Sequence, residues 1–291
     1  MSKASPAASE LPTILVYATR DRPRALARAA FPKRQWHIVM ARDYSEFESS
    51  LRTTLVDAAI IDVGSASAAS EAGGEAPGGA ARGTGNGLPG DDAWKIGALA
   101  HEFPTSPFFG ITPLRATDAP AVAHCVALEF CDVIADGVDD SVAREIVAPR
   151  TFTARLVAAL IEPPPSLGLR TEMQLKAWRS ILGAAGRPIR TARLAEEAGV
   201  SREHLSRHFG APGGPNLKRI IDLVRMITAA ELAKNPGLDI RDVANILGFA
   251  SSSHLAVTAQ RVIGTRPVSL SRLRTVDLIE RFTQGRTRSR G

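Results

Sequence analysis

Two stretches in the C-terminal half of the chain decide its fold: LAEEAGVSREHLSRHF at 194–209 and IRDVANILGFASSSHL at 240–255. Both have apolar residues at helical spacing on either side of one glycine, Gly199 or Gly248. Glycine readily adopts the left-handed conformation that often ends a helix, and Ser201 can cap the helix that follows the first turn. Each stretch therefore predicts two short helices joined by a tight turn.

A long amphipathic helix is predicted between the two stretches, over 216–234, and the sequence Asn235-Pro236-Gly237 is a strong signal for its end. At ~1.5 Å per residue this helix is roughly 28 Å long, close to the ~34 Å between successive major-groove faces of B-DNA. The second helix of each pair presents polar side chains suited to base edges and phosphates. One chain can therefore read two adjacent major grooves.

The two stretches, the bridging helix with Arg225 and the sequence GTRPVSL at 264–270 together resemble the DNA-binding domain of the AraC/XylS family. The resemblance implies an all-α domain with two helix-turn-helix units. It also implies a set of DNA contacts, which are Ser201, Arg202, Glu203, Ser206 and Arg207 in the first unit and Ser252, Ser253, His254 and Val257 in the second. Val257 and Ala259 stand where the family usually has an arginine and an aromatic residue, so weaker binding or a looser core is expected of the second unit.

Several of these side chains have a second interpretation that the sequence leaves open. Glu203 accepts a hydrogen bond from a cytosine amino group or lies in solvent. For Val257, filling a helix interface is favoured over contact with a thymine methyl group. His204 and His208 are four residues apart, but no further ligand accompanies them, so packing or a phosphate hydrogen bond is favoured over a metal site. For Arg207, as for its neighbour Arg202, DNA contact is favoured over simple solvation. No cofactor is expected.

The first half of the chain alternates apolar strand-like runs with helical patterns such as 44–53 and 93–102, which predicts a parallel sheet covered by helices. The five predicted strands are 13–18, 37–41, 58–63, 108–112 and 132–135. With DAAIIDV at 57–63 and FFGITP at 108–113, this order resembles the flavodoxin-like receiver domain of response regulators. The predicted fold class is thus a receiver-like α/β domain followed by an all-α domain with two helix-turn-helix units.

The receiver resemblance implies a phospho-acceptor at Asp62 and a hydroxyl position at Thr112. The acidic pair that holds Mg²⁺ in that family falls on Ala18 and Thr19, and the lysine after the fifth strand falls near Asp136, which reverses the charge. Phosphorylation is therefore disfavoured, and the N-terminal domain is interpreted as a pseudo-receiver for dimerisation or signal sensing. The alternative is a response regulator controlled by phosphorylation of Asp62.

The two halves of the chain differ in charge and are separated by a proline run. Residues 1–162 hold 15 Lys and Arg against 20 Asp and Glu, net −5, whereas residues 163–291 hold 21 against 10, net +11. A polyanion is thus expected at the basic half. The predicted segments are a disordered tail at 1–10, the receiver-like domain at 11–162 with a disordered insertion at 64–90, a linker at 163–168, the DNA-binding domain at 169–283 and a basic tail at 284–291.

Composition and motifs exclude several other classes of protein. The first residues lack a secretory signal, and no apolar run approaches the ~18 residues of a membrane span, so a cytoplasmic protein without membrane contact is expected. Neither a G-x-S-x-G elbow nor a phosphate-binding glycine loop is present, which argues against an enzyme. The predicted partners are double-stranded promoter DNA, a second copy of the chain, and RNA polymerase. A small-molecule sensor at the sheet edge and a nonspecific architectural DNA binder remain alternatives.

Overall fold

The structure, a computed structural model, describes residues 11–64, 91–209 and 214–288. The predicted tail at 1–10 and all but the first residue of the predicted insertion at 64–90 lie outside the described residues. The chain divides into two compact units, which we call the sheet unit and the helical unit. The sheet unit contains Thr13–Leu51 and Val56–Phe152, and the helical unit contains Arg52–Leu55 and the chain from Thr153 onward.

The sheet unit is built on five parallel strands in the order β2-β1-β3-β4-β5. The strands are β1 (Thr13–Tyr17), β2 (His37–Ala41), β3 (Val56–Asp62), β4 (Phe108–Thr112) and β5 (Asp132–Ala135). They lie within two residues of the predicted ones, and their order is that of a doubly wound, flavodoxin-like sheet. The predicted α/β fold class of the first half is confirmed.

A helix follows each strand of the sheet unit. They are α1 (Asp21–Ala30), α2 (Tyr44–Thr53), α3 (Asp91–Ala98), α4 (Ala119–Ala127) and α5 (Asp140–Val147). The central strands β1, β3 and β4 are buried along their whole length, whereas the edge strands β2 and β5 are partly exposed. This agrees with their near-continuous apolar sequences, because a parallel sheet with helices over both faces buries both sides of its central strands.

The helical unit contains only helices and turns among its described residues from Thr153 onward. Its helices are α6 (Phe152–Leu160), α7 (Glu172–Gly183), α8 (Thr191–Ala198), α9 (Arg202–Phe209), α10 (Leu217–Leu232), α11 (Ile240–Ile246), α12 (Ser252–Ile263) and α13 (Thr275–Arg288). The predicted bridging helix is α10, and the all-α character of the second half is confirmed. In the described part of the chain, no helix combines the length and apolarity that a membrane crossing requires.

The C-terminal part of the helical unit begins at Thr153, ahead of the linker predicted at 163–168. Within that predicted linker, Leu167 is fully buried in a short 3-10 turn, and the indole Nε1 of Trp178 donates a hydrogen bond to the Leu160 carbonyl at 2.8 Å. The burial of Leu167 packs the proline-rich segment into the helical unit, and the Trp178 hydrogen bond joins α7 to the end of α6. At the other end α13 continues to Arg288, so the predicted basic tail begins as part of a helix.

Candidate nucleic-acid interface

The first candidate DNA-binding element is the pair α8–α9. Gly199 follows α8 with φ 72°, its amide donates to the Glu196 carbonyl, and the amide of Val200 donates to the Ala195 carbonyl, both at 3.0 Å. This pairing is a Schellman motif, in which the left-handed residue lets two otherwise unpaired carbonyls at the helix end accept hydrogen bonds. The motif reverses the chain sharply enough for α9 to pack against α8.

The pair α11–α12 has the same turn. Gly248 has φ 65°, its amide donates to the Asn245 carbonyl at 3.0 Å, and the amide of Phe249 donates to the Ala244 carbonyl at 2.8 Å. A Cβ at Gly248 would lie 2.9 Å from Cγ of Pro188, whereas a Cβ at Gly199 would meet nothing within 4 Å. The second turn therefore requires glycine for conformation and for space, and the first for conformation alone.

A serine caps the second helix of each pair. The Ser201 hydroxyl oxygen accepts a hydrogen bond from the His204 amide at 3.2 Å, and the Ser251 oxygen accepts one from the His254 amide at 3.1 Å. Each cap satisfies a backbone donor at a helix start that has no partner within the helix. The predicted DNA contact Ser201 thus has a structural role as well, and its hydroxyl proton is left to donate elsewhere.

The predicted contact residues lie on the exposed faces of α9 and α12. On α9 all four of them are exposed, namely Arg202, Glu203, Ser206 and Arg207. On α12 three are exposed and Ser252 is half-buried, the exposed ones being Ser253, His254 and Val257. The Val257 side chain does not fill a helix interface, because the residue is 66% exposed. The structure therefore brings each predicted set together on one helix surface.

The two histidines of α9 do not form a metal site in the described part of the chain. The rings of His204 and His208 stack with centroids 5.3 Å apart, and no group of three or more His, Cys, Asp or Glu side chains is placed to hold an ion there. The His208 carbonyl accepts a hydrogen bond from Nε2 of Gln174 at 3.1 Å, which ties the end of α9 to α7. His204 therefore lies on the exposed face of α9, and the half-buried His208 connects that helix to α7 through its backbone.

A groove with a volume of about 500 Å³ separates α9 from the start of α10. Its lining includes two exposed cationic side chains, Arg202 and Lys218, together with Asp222 and the half-buried Arg225 of α10. At the same end of α10, the Asn216 side chain caps the helix by accepting from the Arg219 amide at 2.9 Å. The groove is thus a positively charged surface beside the exposed face of α9, and such surfaces attract phosphate oxygens.

Two residues of α10 that link it to the second helix pair were not singled out as functional from the sequence. A guanidinium nitrogen of Arg225 donates to the Leu247 carbonyl at 2.8 Å, and Asp222 accepts from Arg261 at 2.8 Å. Burial lowers the pKa of Arg225, and the nearby negative charge of Asp222 opposes that shift. The sequence does contain a signal for them. Asp222 and Arg225 are oppositely charged and lie three residues apart on a helix face that is otherwise apolar.

Asp62, the candidate phospho-acceptor, lies at the carboxyl end of β3 with its carboxylate fully buried and bound by Arg20. Nε of Arg20 lies 3.0 Å from Asp62 Oδ1, and its two terminal nitrogens reach Asp62 at 2.6 Å and Asp136 at 2.7 Å. Burial alone would lower the pKa of Arg20, but the hydrogen bonds and negative charges of the two aspartates raise it. At the described edge of the sheet, the Arg20 guanidinium therefore lies between the carboxylates that follow β3 and β5.

Residues 194–272 match a family model described as a helix-turn-helix domain, and the matched region begins within α8 and ends after α12. These residues form a helix-turn-helix domain of the AraC type. The predicted resemblance of the C-terminal region is confirmed.

The chain is also similar to a curated transcriptional regulator. Over 163 residues the chain is 25% identical to the HTH-type transcriptional regulator GlxA of Rhizobium meliloti (strain 1021), a match that covers 56% of the chain and 47% of that relative. The chain thus spans about half the length of the curated relative that it matches.

Several solved structures resemble the chain, among them the following two. A response regulator from Thermotoga maritima is 16% identical with a TM-score of 0.35, covering 47% of this chain and 98% of that one. Full-length FixJ from B. japonicum is 13% identical with a TM-score of 0.35, covering 86% of this chain and 96% of that one. The assignment of the sheet unit rests instead on its own strand order.

Proposed function

We propose that the protein is a sequence-specific DNA-binding transcriptional regulator whose helices α9 and α12 enter adjacent major grooves of promoter DNA. The observation that supports this most strongly is the repetition of one turn and cap geometry in two helix pairs, each with an exposed polar face. A single helix of 16 residues, α10, joins the two pairs. At ~1.5 Å per residue α10 is about 24 Å long, a separation of the same order as the ~34 Å between successive major-groove faces.

The exposed face of α9 supplies charge and hydrogen bonds. Arg207 and Arg202 are suited to donate to guanine or to phosphate oxygens, and Glu203 is suited to accept from a cytosine amino group. The face of α12 offers the Ser253 and His254 side chains as hydrogen-bonding groups and the Val257 side chain as an apolar contact for a thymine methyl group. The net charge of +11 on residues 163–291 adds attraction to phosphates that is independent of sequence.

For the sheet unit we propose the role of a pseudo-receiver that mediates homodimerisation or senses a signal through protein contact. The ion pairs of Arg20 with Asp62 and Asp136 support this role, because the carboxylate that would accept a phosphoryl group already has a cation and is buried. Phosphoryl transfer requires that carboxylate to be accessible beside a bound Mg²⁺.

Phosphorylation is tested by incubating the full-length protein and an Asp62→Asn variant with acetyl phosphate and Mg²⁺. We expect no difference in phosphate incorporation between the two proteins by intact-mass measurement. Stoichiometric labelling that the substitution abolishes would establish the phosphorylation-controlled regulator in place of the pseudo-receiver.

Sequence-specific binding is tested by selecting sites from random duplex DNA with the full-length protein. Wild type, Arg207→Ala and a control Arg281→Ala are compared, because Arg281 is an equally exposed arginine on α13, outside the α9 and α12 faces. We expect a recovered motif in which Arg207→Ala relaxes one position and Arg281→Ala relaxes none. Salt-dependent binding without any recovered motif would instead identify a nonspecific architectural DNA binder.

A further inference from the structure

We propose that Arg225 and Asp222 of α10 are positioning residues that hold α12 in one orientation, and that they thereby fix the number of base pairs between the two DNA elements that the protein accepts. This proposal rests on the proposed function, because it concerns how the same DNA-binding surface selects its site. Neither side chain needs to touch DNA for this role.

Arg225 attaches α10 to the turn that precedes α12. Its guanidinium donates to the Leu247 carbonyl, which lies just past the last turn of α11 where helix carbonyls have no partner within the helix. The centre of the same guanidinium lies 3.8 Å from the centroid of the Phe249 ring, in cation–π contact. One side chain therefore fixes both the backbone of the turn and the aromatic ring that follows it.

The Phe249 ring in turn contacts a residue on the exposed face of α12. It is buried, and its edge meets the imidazole ring of His254 with centroids 5.5 Å apart and ring planes at 83°. His254 belongs to the first turn of α12 and is one of the predicted DNA contacts. The start of the helix that reads DNA is thus attached to α10 through two aromatic contacts.

Asp222 attaches the other end of α12. Its buried carboxylate accepts a hydrogen bond from the guanidinium of Arg261 at 2.8 Å. Arg261 follows His254 by about two helical turns. Two attachment points at opposite ends of a helix define its axis, so this pair of contacts determines both where α12 lies on α10 and in which direction it points.

Polar contacts are suited to this task because their geometry is directional. Apolar packing is non-directional, so it stabilises closely related helix arrangements to a similar extent. A slip or rotation of α12 would leave the Asp222 carboxylate or the Arg225 guanidinium without its partner, and an unpaired buried charge is strongly unfavourable. A charged pair on the core-facing side of α10 therefore selects one arrangement of the second helix pair.

The test measures affinity as a function of spacing. Duplexes carry the two elements recovered by site selection, separated by the recovered spacing or by one or two base pairs more or fewer. One inserted base pair moves the second element by ~3.4 Å and rotates it by about 34°. We expect wild type to lose about tenfold in affinity for a shift of one base pair, and Arg225→Met to lose about threefold or less.

Three further variants make the spacing test specific. Arg219→Met is the matched control, since Arg219 lies on the same helix but contacts the Phe282 ring at 5.0 Å. Arg225→Lys retains a charge that can donate to the Leu247 carbonyl but has no planar group to stack on Phe249, so an intermediate profile is expected. Arg261→Met removes the second attachment by changing an exposed side chain. It takes the place of Arg225→Met in the spacing test if Arg225→Met fails to fold.

A measurement without DNA separates this proposal from the proposed function. The chain has six histidines, and selective labelling resolves the ring signals of His254 by NMR. We expect Arg225→Met to shift them, because the Phe249 ring loses its cation, and Arg219→Met to leave them unchanged. Unchanged His254 signals in Arg225→Met, or a spacing profile as sharp as wild type, overturn the proposal. If wild type recovers no motif while the His254 signals shift as expected, the proposed function fails and the attachment stands.

Discussion

The two helix pairs of the helix-turn-helix domain share their backbone and differ in chemistry. Both have a Schellman turn at a glycine and a serine cap on the second helix. The exposed face of α9 carries two arginines and a glutamate, whereas the contact face of α12 carries serines, a histidine and a valine. The shared features are those that reverse the chain, and the differences lie where DNA would be contacted. Ser201 belongs to both groups of residues, because it caps α9 and is also a predicted DNA contact.

The pairs also differ in how they are attached. The end of α9 is tied to α7 by one uncharged hydrogen bond, from Gln174 to the His208 carbonyl. The pair α11–α12 is tied to α10 by two charged residues, Arg225 and Asp222. The two arginines of the α9 face are exposed, whereas Arg225 and Asp222 beside the second pair are engaged in contacts within the protein.

The largest expected effect comes from the two turn glycines, and it concerns stability. Gly248→Ala is expected to lower the free energy of unfolding by about 2 to 3 kcal/mol, because the left-handed conformation costs about 1 to 2 kcal/mol and the new Cβ also crowds Pro188. Gly199→Ala is expected to cost about 1 kcal/mol, from conformation alone. Urea titration of the two variants provides the measurement. Equal losses would show that the second turn is no tighter than the first.

The next effect concerns DNA affinity and separates the two exposed faces. Arg207→Ala is expected to weaken binding to the selected site by about 1 to 3 kcal/mol, roughly 5- to 150-fold, through the loss of contacts to a base or phosphate. Val257→Ala removes two exposed methyl groups and is expected to cost no more than about 1 kcal/mol. Both affinities come from fluorescence anisotropy at one fixed salt concentration.

Thermal unfolding of the same two variants is the control, since exposed substitutions leave stability within about 0.5 kcal/mol of wild type. If Val257→Ala weakens binding as much as Arg207→Ala does, the second pair is as important to affinity as the first. The contrast between the faces would then be lost.

The smallest effect tests what the pairs have in common. Ser201→Ala and Ser251→Ala are each expected to destabilise the protein by about 1 kcal/mol, because each removes the acceptor that caps a helix start. The corresponding glycine variants are expected to cost only a few tenths of a kcal/mol. Unequal losses for the two alanine variants would contradict the equivalence of the caps.

Local patterns made much of this architecture predictable from the sequence. Continuous apolar runs located all five strands, since a central parallel strand is buried on both faces. The glycine and serine signals at Gly199, Ser201 and Gly248 located the turns, because they depend on residues only a few positions apart. The outward residues of α9 followed from helical spacing, whereas the contact set of α12 followed from the resemblance to the AraC/XylS family.

What could not be predicted depends on contacts between residues distant in sequence. Arg225 meets Phe249 only once α10 and α11 have packed, and nothing local marks that meeting. The role of Arg20 was not predicted, because the receiver resemblance concerns the acidic residues that would hold Mg²⁺ after the first strand. It gives no reason to expect an arginine that binds Asp62 and Asp136 there. The proline composition of 163–168 suggested a spacer, but the burial of Leu167 is a tertiary effect.

The central claim is that two different helix pairs of one chain read two successive major grooves. It is tested most directly by methylation interference on the selected duplex, which reports contacts at guanine N7 in the major groove. We expect two clusters of interference centred about 10 base pairs apart on one face of the DNA, one of which weakens selectively in Arg207→Ala. A single cluster with wild-type protein, or two clusters that Arg207→Ala weakens equally, would contradict it.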